Sequence, residues 1–174
     1  MTTRYIGIDP GKKGAVAIID NDGVEIYDFD GELDTYHQLM LGIGSSDRYT
    51  STAVEDVCGR PGQSCQANTT FMKHAGIAEF LGFYWEFFGS FIKVKPQVWK
   101  KHFGLITKGL TKTQRKHLSI ELAKKLYPSV ADQLTASKDG RAEALLIARY
   151  IKDVQENARV NEESKPDCRE TVED

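Results

Sequence analysis

Four acidic residues stand at the ends of predicted strands or at the start of a predicted helix: Asp9, Glu55, Asp139 and Glu143. Carboxylate oxygens are the ligands that Mg²⁺ and Mn²⁺ use, together with water and substrate phosphate. Two such ions roughly 3.5–4 Å apart align an attacking water and stabilise the leaving 3′ oxygen in phosphodiester hydrolysis. The chemistry that these residue types could perform is therefore metal-dependent cleavage of a nucleic acid.

The first of these acids follows an apolar run, Tyr5-Ile6-Gly7-Ile8, and precedes Pro10 and Gly11. Proline cannot donate a hydrogen bond to a central strand, and it biases the preceding residue toward an extended backbone. Asp9 is therefore expected to present its carboxylate where the first strand ends. Asp-Pro-Gly is also an ordinary turn sequence, so Asp9 alone is compatible with a purely structural role.

Asp139 and Glu143 are four residues apart at the start of the last predicted helix, so both project from one side of it. Like charges at this spacing cost a few tenths of a kcal/mol in a plain helix, and a bound cation would compensate them. Each acid taken singly could be a surface residue. The set of four, close to a basic segment, indicates a metal site.

The chain is predicted to be an α/β protein with one mixed five-stranded sheet and helices on both faces. Strands are expected at residues 5–8, 15–19, 24–29, 52–57 and 91–95, and helices at residues 34–41, 68–88, 98–103, 111–126 and 139–154. The first three strands are antiparallel. A helical crossover makes the fourth parallel to the first, which puts Asp9 and Glu55 on the same edge of the sheet.

Residues 93–125 form a basic segment, with ten lysines and arginines against one acid, Glu121. Such a stripe suits a phosphate backbone, and a solvated helix face is the alternative interpretation. Residues 156–174 carry seven acids and three bases, a net of −4, and are expected to be a disordered tail. We therefore predict one domain at residues 1–155, followed by this tail.

The overall composition is that of an ordinary globular protein of 174 residues, 40% hydrophobic and 28% charged. No apolar run approaches the roughly 18 residues of a membrane span, and residues 1–4 lead into a strand rather than a signal segment. Cys58, Cys65 and Cys168 lack metal-ligand spacing and are expected to be free thiols. A cytoplasmic location is the expectation.

Four stretches together resemble the RuvC-type Holliday junction resolvases, particularly their phage and plastid-like branch: "GIDPGKKGAVAI", "AVEDVCGRPGQ", "KVKPQVWKKHFGL" and "KDGRAEALLIARY". The resemblance implies an RNase H-like fold and a homodimer that resolves four-way DNA junctions by symmetric nicks, in recombination and repair. It also implies two Mg²⁺ or Mn²⁺ ions held by Asp9, Glu55, Asp139 and Glu143. A phage-encoded member would act in the host cytoplasm.

The same resemblance matches a catalytic lysine of the family to Lys112 in "TKTQ", and less closely to Lys100. Positive charge at these positions would stabilise the charge that accumulates on a scissile phosphate. We expect contacts to branched DNA from a set of basic residues: Lys12, Lys13, Arg60, Lys100, Lys101, Lys108, Lys112, Arg115 and Lys116.

Two departures from the family pattern leave alternatives open. Near Cys58 the bacterial members carry an aromatic residue that stacks on DNA, and Glu143 stands where the family usually has aspartate. Another RNase H-like nuclease, acting on flaps, branched DNA or RNA–DNA hybrids, would use the same acids. The non-enzymatic alternative is a junction-binding protein with a catalytically dead nuclease fold.

Overall fold

A computed structural model describes residues 3–11, 13–29, 32, 38–39, 41–42, 48–59, 62 and 64–163, with no description of the side chains at 161–163. The strands are β1 (Thr3–Asp9), β2 (Gly14–Asp20), β3 (Gly23–Phe29), β4 (Tyr49–Glu55) and β5 (Gly89–Val94). The α-helices are α1 (Cys65–Glu86), α2 (Pro96–His102), α3 (Lys112–Leu126) and α4 (Asp139–Glu163), with 3₁₀ turns at Pro128–Gln133 and Ala136–Lys138.

The five strands form one mixed sheet in the order β3-β2-β1-β4-β5. The pairs β1–β2 and β2–β3 are antiparallel, whereas β1–β4 and β4–β5 are parallel. The predicted sheet, including the parallel pairing of the first and fourth strands, is confirmed.

Helices cover both faces of the sheet, as predicted, because residues along each strand alternate between two apolar cores. Ile6 and Ile8 of β1 face one core, which α1 closes with Leu81 and Trp85. Tyr5 of β1 faces the other core, which is formed mainly by α4 together with α2 and α3.

Helix α4 lies directly on β1 because Gly7 has no side chain. A Cβ atom at Gly7 would overlap the backbone of Ala144 and Ala148 in α4. This close approach carries the start of α4, with its acidic residues, to the end of β1 where Asp9 lies.

Several predicted boundaries shift in the structure. Strands β4 and β5 begin and end earlier than predicted, and α4 runs nine residues beyond the predicted end at Val154. The helical hydrogen-bond ladder of α4 thus continues into the acidic segment, of which residues 164–174 lie outside the described residues. Of the helix predicted at residues 34–41, only residues 38, 39 and 41 are described, and all three are helical.

The helix start predicted at Thr111 is confirmed in detail. The Thr111 side chain accepts the backbone N–H of Gln114, and the Gln114 side chain accepts the N–H of Thr111. This reciprocal capping box satisfies two backbone donors that the helix leaves free. The helical spacing of apolar residues predicts that Leu118 of α3 and Met72 of α1 face inward, but both side chains are exposed, so these two predictions are wrong. Within the described residues, no helix is long and apolar enough to cross a membrane.

Candidate metal centre

Three of the four predicted acids meet at one end of the sheet. Asp9, Glu55 and Glu143 each contribute a carboxylate oxygen, and these oxygens lie within 4.8 Å of one another. Asp9 and Glu55 are only 9% and 8% exposed. Glu143 is partly buried, and three carboxylates so close together can hold a metal ion.

The strand register explains why two of these acids are neighbours. Ile8 of β1 pairs with Val54 of β4 in the parallel ladder, so Asp9 and Glu55 are the next residues on adjacent strands. Strand alternation places both of them on the face of the sheet that α4 covers. Glu143, in the second turn of α4, reaches the same volume from above the sheet.

The acids repel one another electrostatically. Burial raises the pKa of Asp9 well above its usual range, and the nearby carboxylates of Glu55 and Glu143 raise it further. The backbone N–H of Gly11, 3.2 Å from Oδ1 of Asp9, and the positive charge of Lys100 lower this pKa in part. The cluster therefore carries more negative charge than its surroundings compensate.

Helix α2 lies beside the cluster and contributes two contacts. The Lys100 Nζ lies 3.0 Å from Oε1 of Glu143, and the Trp99 Nε1–H donates to Oε1 of Glu55 at 3.1 Å. Lys100 also lies over the Trp99 ring, 4.7 Å from its centroid. Sequence reasoning gave Trp99 no role, although a lone tryptophan directly before Lys100 in a short basic helix was a usable signal.

Asp139, the fourth predicted acid, is adjacent to the triad but not part of it. Its carboxylate forms an ion pair with Lys116 of α3. The next residue, Gly140, packs so closely on the turn after β1 that a Cβ there would overlap the carbonyl oxygen of Lys13 and lie 2.8 Å from Oδ2 of Asp9. Asp139 as a metal ligand stays a prediction.

The donor set fits a hard divalent cation. The four acids and the two lysines that pair with them, Lys100 and Lys116, sum to −4 and +2 when ionised, which leaves −2. All the clustered donors are carboxylate oxygens, which hard divalent cations prefer. The net negative charge of these six residues therefore favours binding of a divalent cation.

The remaining predicted site residues are exposed or lie outside the described residues. Lys112 is the first residue of α3 and is exposed. Four further predicted DNA contacts are also exposed: Lys13, Lys101, Lys108 and Arg115. Lys12 and Arg60 lie outside the described residues. Lys93, at the start of the basic segment, forms ion pairs with Glu79 and Asp56, so its charge is already compensated within the protein.

No protein-family model matches this chain, and no curated protein is significantly similar to it.

Proposed function

We propose that this protein is a divalent-metal-dependent endodeoxyribonuclease that resolves four-way DNA junctions. The observation that carries the proposal is the convergence of Asp9, Glu55 and Glu143 at the end of two parallel strands. Asp139, one helical turn before Glu143, is proposed as the fourth ligand, and Mg²⁺ or Mn²⁺ as the two ions.

The proposed roles of the residues follow from their positions. Asp9, Glu55 and Glu143 hold the cations, and the burial of Asp9 and Glu55 keeps bulk water from screening the charge. When bound, divalent ions supply an activated water and neutralise charge on the leaving oxygen. Lys100 lies at the rim of the cluster, 30% exposed, where it can contact a phosphate entering the site. Lys112 is proposed to do the same from the exposed start of α3.

DNA is proposed as the substrate because the exposed basic residues lie on the elements that surround the acids. Lys101 follows Lys100 on α2, and Lys112 and Arg115 lie on the first turn of α3, near Lys116, which contacts Asp139. In the described part of the chain no carboxylate forms an ion pair with Lys101, Lys112 or Arg115. These side chains can therefore neutralise backbone phosphates beside the metal centre.

A homodimer is proposed because symmetric nicking of a junction needs two active sites. The outer face of α1 offers a surface for a second copy: Phe80 and Phe83 on the helix and Phe87, the residue after its end, are 54%, 55% and 88% exposed. Their spacing of three and four residues places them on one side. Exposed aromatic side chains in a row favour protein contact. Sedimentation of the wild-type protein and of Phe83→Asp tests this: a dimer should become a monomer, and a wild-type monomer contradicts the proposal.

The decisive experiment compares cleavage of a synthetic four-way junction, a flap, an RNA–DNA hybrid and a plain duplex, each with Mg²⁺, with Mn²⁺ and with chelator. We expect paired nicked duplexes from the junction when metal is present. Dominant hybrid or flap cleavage would reject junction resolution in favour of another nuclease, and junction binding without any cleavage would favour a dead enzyme.

Two substitutions at adjacent positions sharpen this test. Glu55→Gln removes a carboxylate of the triad and should abolish cleavage while junction binding persists. Asp56→Asn removes an acid that lies next to Glu55 but outside the triad, 3.4 Å from Lys93, and should leave cleavage nearly unchanged. Cleavage by Glu55→Gln at the wild-type rate would rule out the proposed metal centre.

A further inference from the structure

We propose that Trp99 is a positioning residue of the metal centre, whose indole N–H holds the Glu55 carboxylate in the orientation that binds a divalent cation. This inference rests on the part of the proposed function in which the acidic triad binds metal.

The contact between the two residues is buried and charge-assisted. Trp99 Nε1 lies 3.1 Å from Oε1 of Glu55, Trp99 is fully buried, and Glu55 is 8% exposed. A hydrogen bond to an ionised acceptor is about twice as strong as a neutral one, and little water can compete here. The Glu55 carboxylate cannot turn away without breaking this bond.

Glu55 needs such a restraint more than Asp9 does. A glutamate side chain has one more rotatable bond than aspartate, and its immobilisation costs more conformational entropy. Asp9 is short and its Oδ1 already accepts the N–H of Gly11. If Trp99 already fixes the orientation of the Glu55 carboxylate before a cation binds, binding loses less conformational entropy.

The indole ring is itself held rigidly. Trp99 packs in the core that α4 closes, in a helix whose start is set by Pro96. The Lys100 ammonium group lies over its ring face, 4.7 Å from the centroid. Because Lys100 also pairs with Glu143, one segment of α2 contacts two of the three acids.

The chain contains a matched comparison for this tryptophan. Trp85 of α1 is equally buried, but it lies in the other core, and its Nε1 finds no hydrogen-bond partner among the described residues. Replacing either tryptophan by phenylalanine removes similar apolar volume. Only Trp99→Phe removes a contact to the metal centre.

The test is a calorimetric titration with Mn²⁺ alone of the wild-type, Trp99→Phe and Trp85→Phe proteins. Loss of a group that orients a metal ligand lowers affinity about 10–100-fold, so Trp99→Phe should bind Mn²⁺ at least about tenfold more weakly. Trp85→Phe should stay within about twofold. Equal affinities of the two variants would overturn the positioning role, whereas failure of the wild-type protein to bind Mn²⁺ would overturn the metal centre itself.

A second measurement separates positioning from general packing. In a Glu55→Gln background, Trp99→Phe should cause no further loss of residual Mn²⁺ affinity, because the oriented ligand is already gone. If Trp99→Phe does not fold, the titration uses Trp85→Phe protein with Trp99 replaced by benzothienylalanine, which substitutes sulfur for the N–H in a ring of nearly equal size. Unchanged affinity in that protein would reject the proposal, and a loss of about tenfold would support it.

Discussion

The Nζ of Lys100 lies 3.0 Å from Oε1 of Glu143, so α2 and α4 meet through an ion pair at the rim of the acidic triad. This lysine also lowers the pKa of Asp9. In the metal-free protein it therefore supplies part of the charge compensation that a divalent ion would otherwise supply.

Lys100→Met should consequently make the protein more dependent on metal. Without the Lys100 ammonium group the carboxylates repel one another more strongly. The metal ion also no longer competes with a lysine for Glu143. We expect a lower melting temperature in chelator and a larger rise on addition of Mn²⁺ than in the wild type. Lys101→Met, the exposed neighbour, is the control. Identical Mn²⁺-induced shifts in Lys100→Met and wild type would contradict this assignment.

Asp9→Asn should abolish Mn²⁺ binding and stabilise the metal-free fold. Asparagine keeps the oxygen that accepts the Gly11 N–H but removes the buried charge. Because burial and the neighbouring carboxylates raise the folded-state pKa of Asp9, its ionised form destabilises the fold at high pH, so Asp9→Asn should unfold at a higher urea concentration than the wild type in chelator at pH 8.

The pH dependence of this gain has a defined sign. Because the folded-state pKa of Asp9 is raised, the wild-type protein regains stability as pH falls through that pKa. The difference between wild type and Asp9→Asn in urea unfolding should therefore shrink toward acidic pH. If the difference in stability between the wild type and Asp9→Asn does not change with pH, the charge of Asp9 is not the cause of that difference.

Asp139→Asn should weaken Mn²⁺ binding less than Glu143→Gln does. Glu143 belongs to the triad, whereas Asp139 pairs with Lys116. Loss of a triad ligand should cost more than the roughly 10–100-fold expected for a group that only orients a ligand, and loss of Asp139 only a few-fold, because Lys116 must first release it. Calorimetry with Mn²⁺ measures both variants. Equal losses of Mn²⁺ affinity in the two variants would indicate that Asp139 is as direct a metal ligand as Glu143.

Gly140→Ala should disrupt the centre through sterics alone. A Cβ at this position would overlap the Lys13 carbonyl oxygen and lie 2.8 Å from Oδ2 of Asp9, so the start of α4 must move. We expect loss of Mn²⁺ binding and a lower melting temperature. Gly76→Ala is the control, since this helical glycine faces open space and alanine there should stabilise α1 by up to about 1 kcal/mol. Wild-type Mn²⁺ affinity in Gly140→Ala would show that metal binding does not depend on the close approach of α4 at this residue.

Asp28→Asn should lower stability at neutral pH but not in strong acid. Hydrogen bonds from Arg141 and Lys138, either side of Asp139, lower the pKa of Asp28 from 3.8 to about 2. A depressed folded-state pKa gives stability that is present above pH 3.8 and lost as pH falls through about 2. The Asp28 side chain is 47% exposed, so solvent screening limits the effect to about 1 kcal/mol or less. Acid titration of unfolding midpoints should show the two proteins converging near pH 2.

The sequence by itself determined the parts of this protein that depend on local pattern. Alternating apolar residues predicted the strands, and the helical crossover after β3 predicted the parallel pairing that brings Asp9 beside Glu55. The spacing of Asp139 and Glu143 predicted a shared helix start. These features follow from backbone periodicity and chain connectivity, which neighbouring residues specify.

Only the tertiary structure decided how side chains distant in sequence contact each other. It placed Trp99 on Glu55, Lys100 on Glu143 and Lys116 on Asp139, because these contacts depend on how α2 and α3 pack against the sheet and α4. Packing angles arise from the whole core rather than from any one segment. The sequence therefore indicated which acids could meet, and the packing of the helices decided that three form the cluster while the fourth is paired.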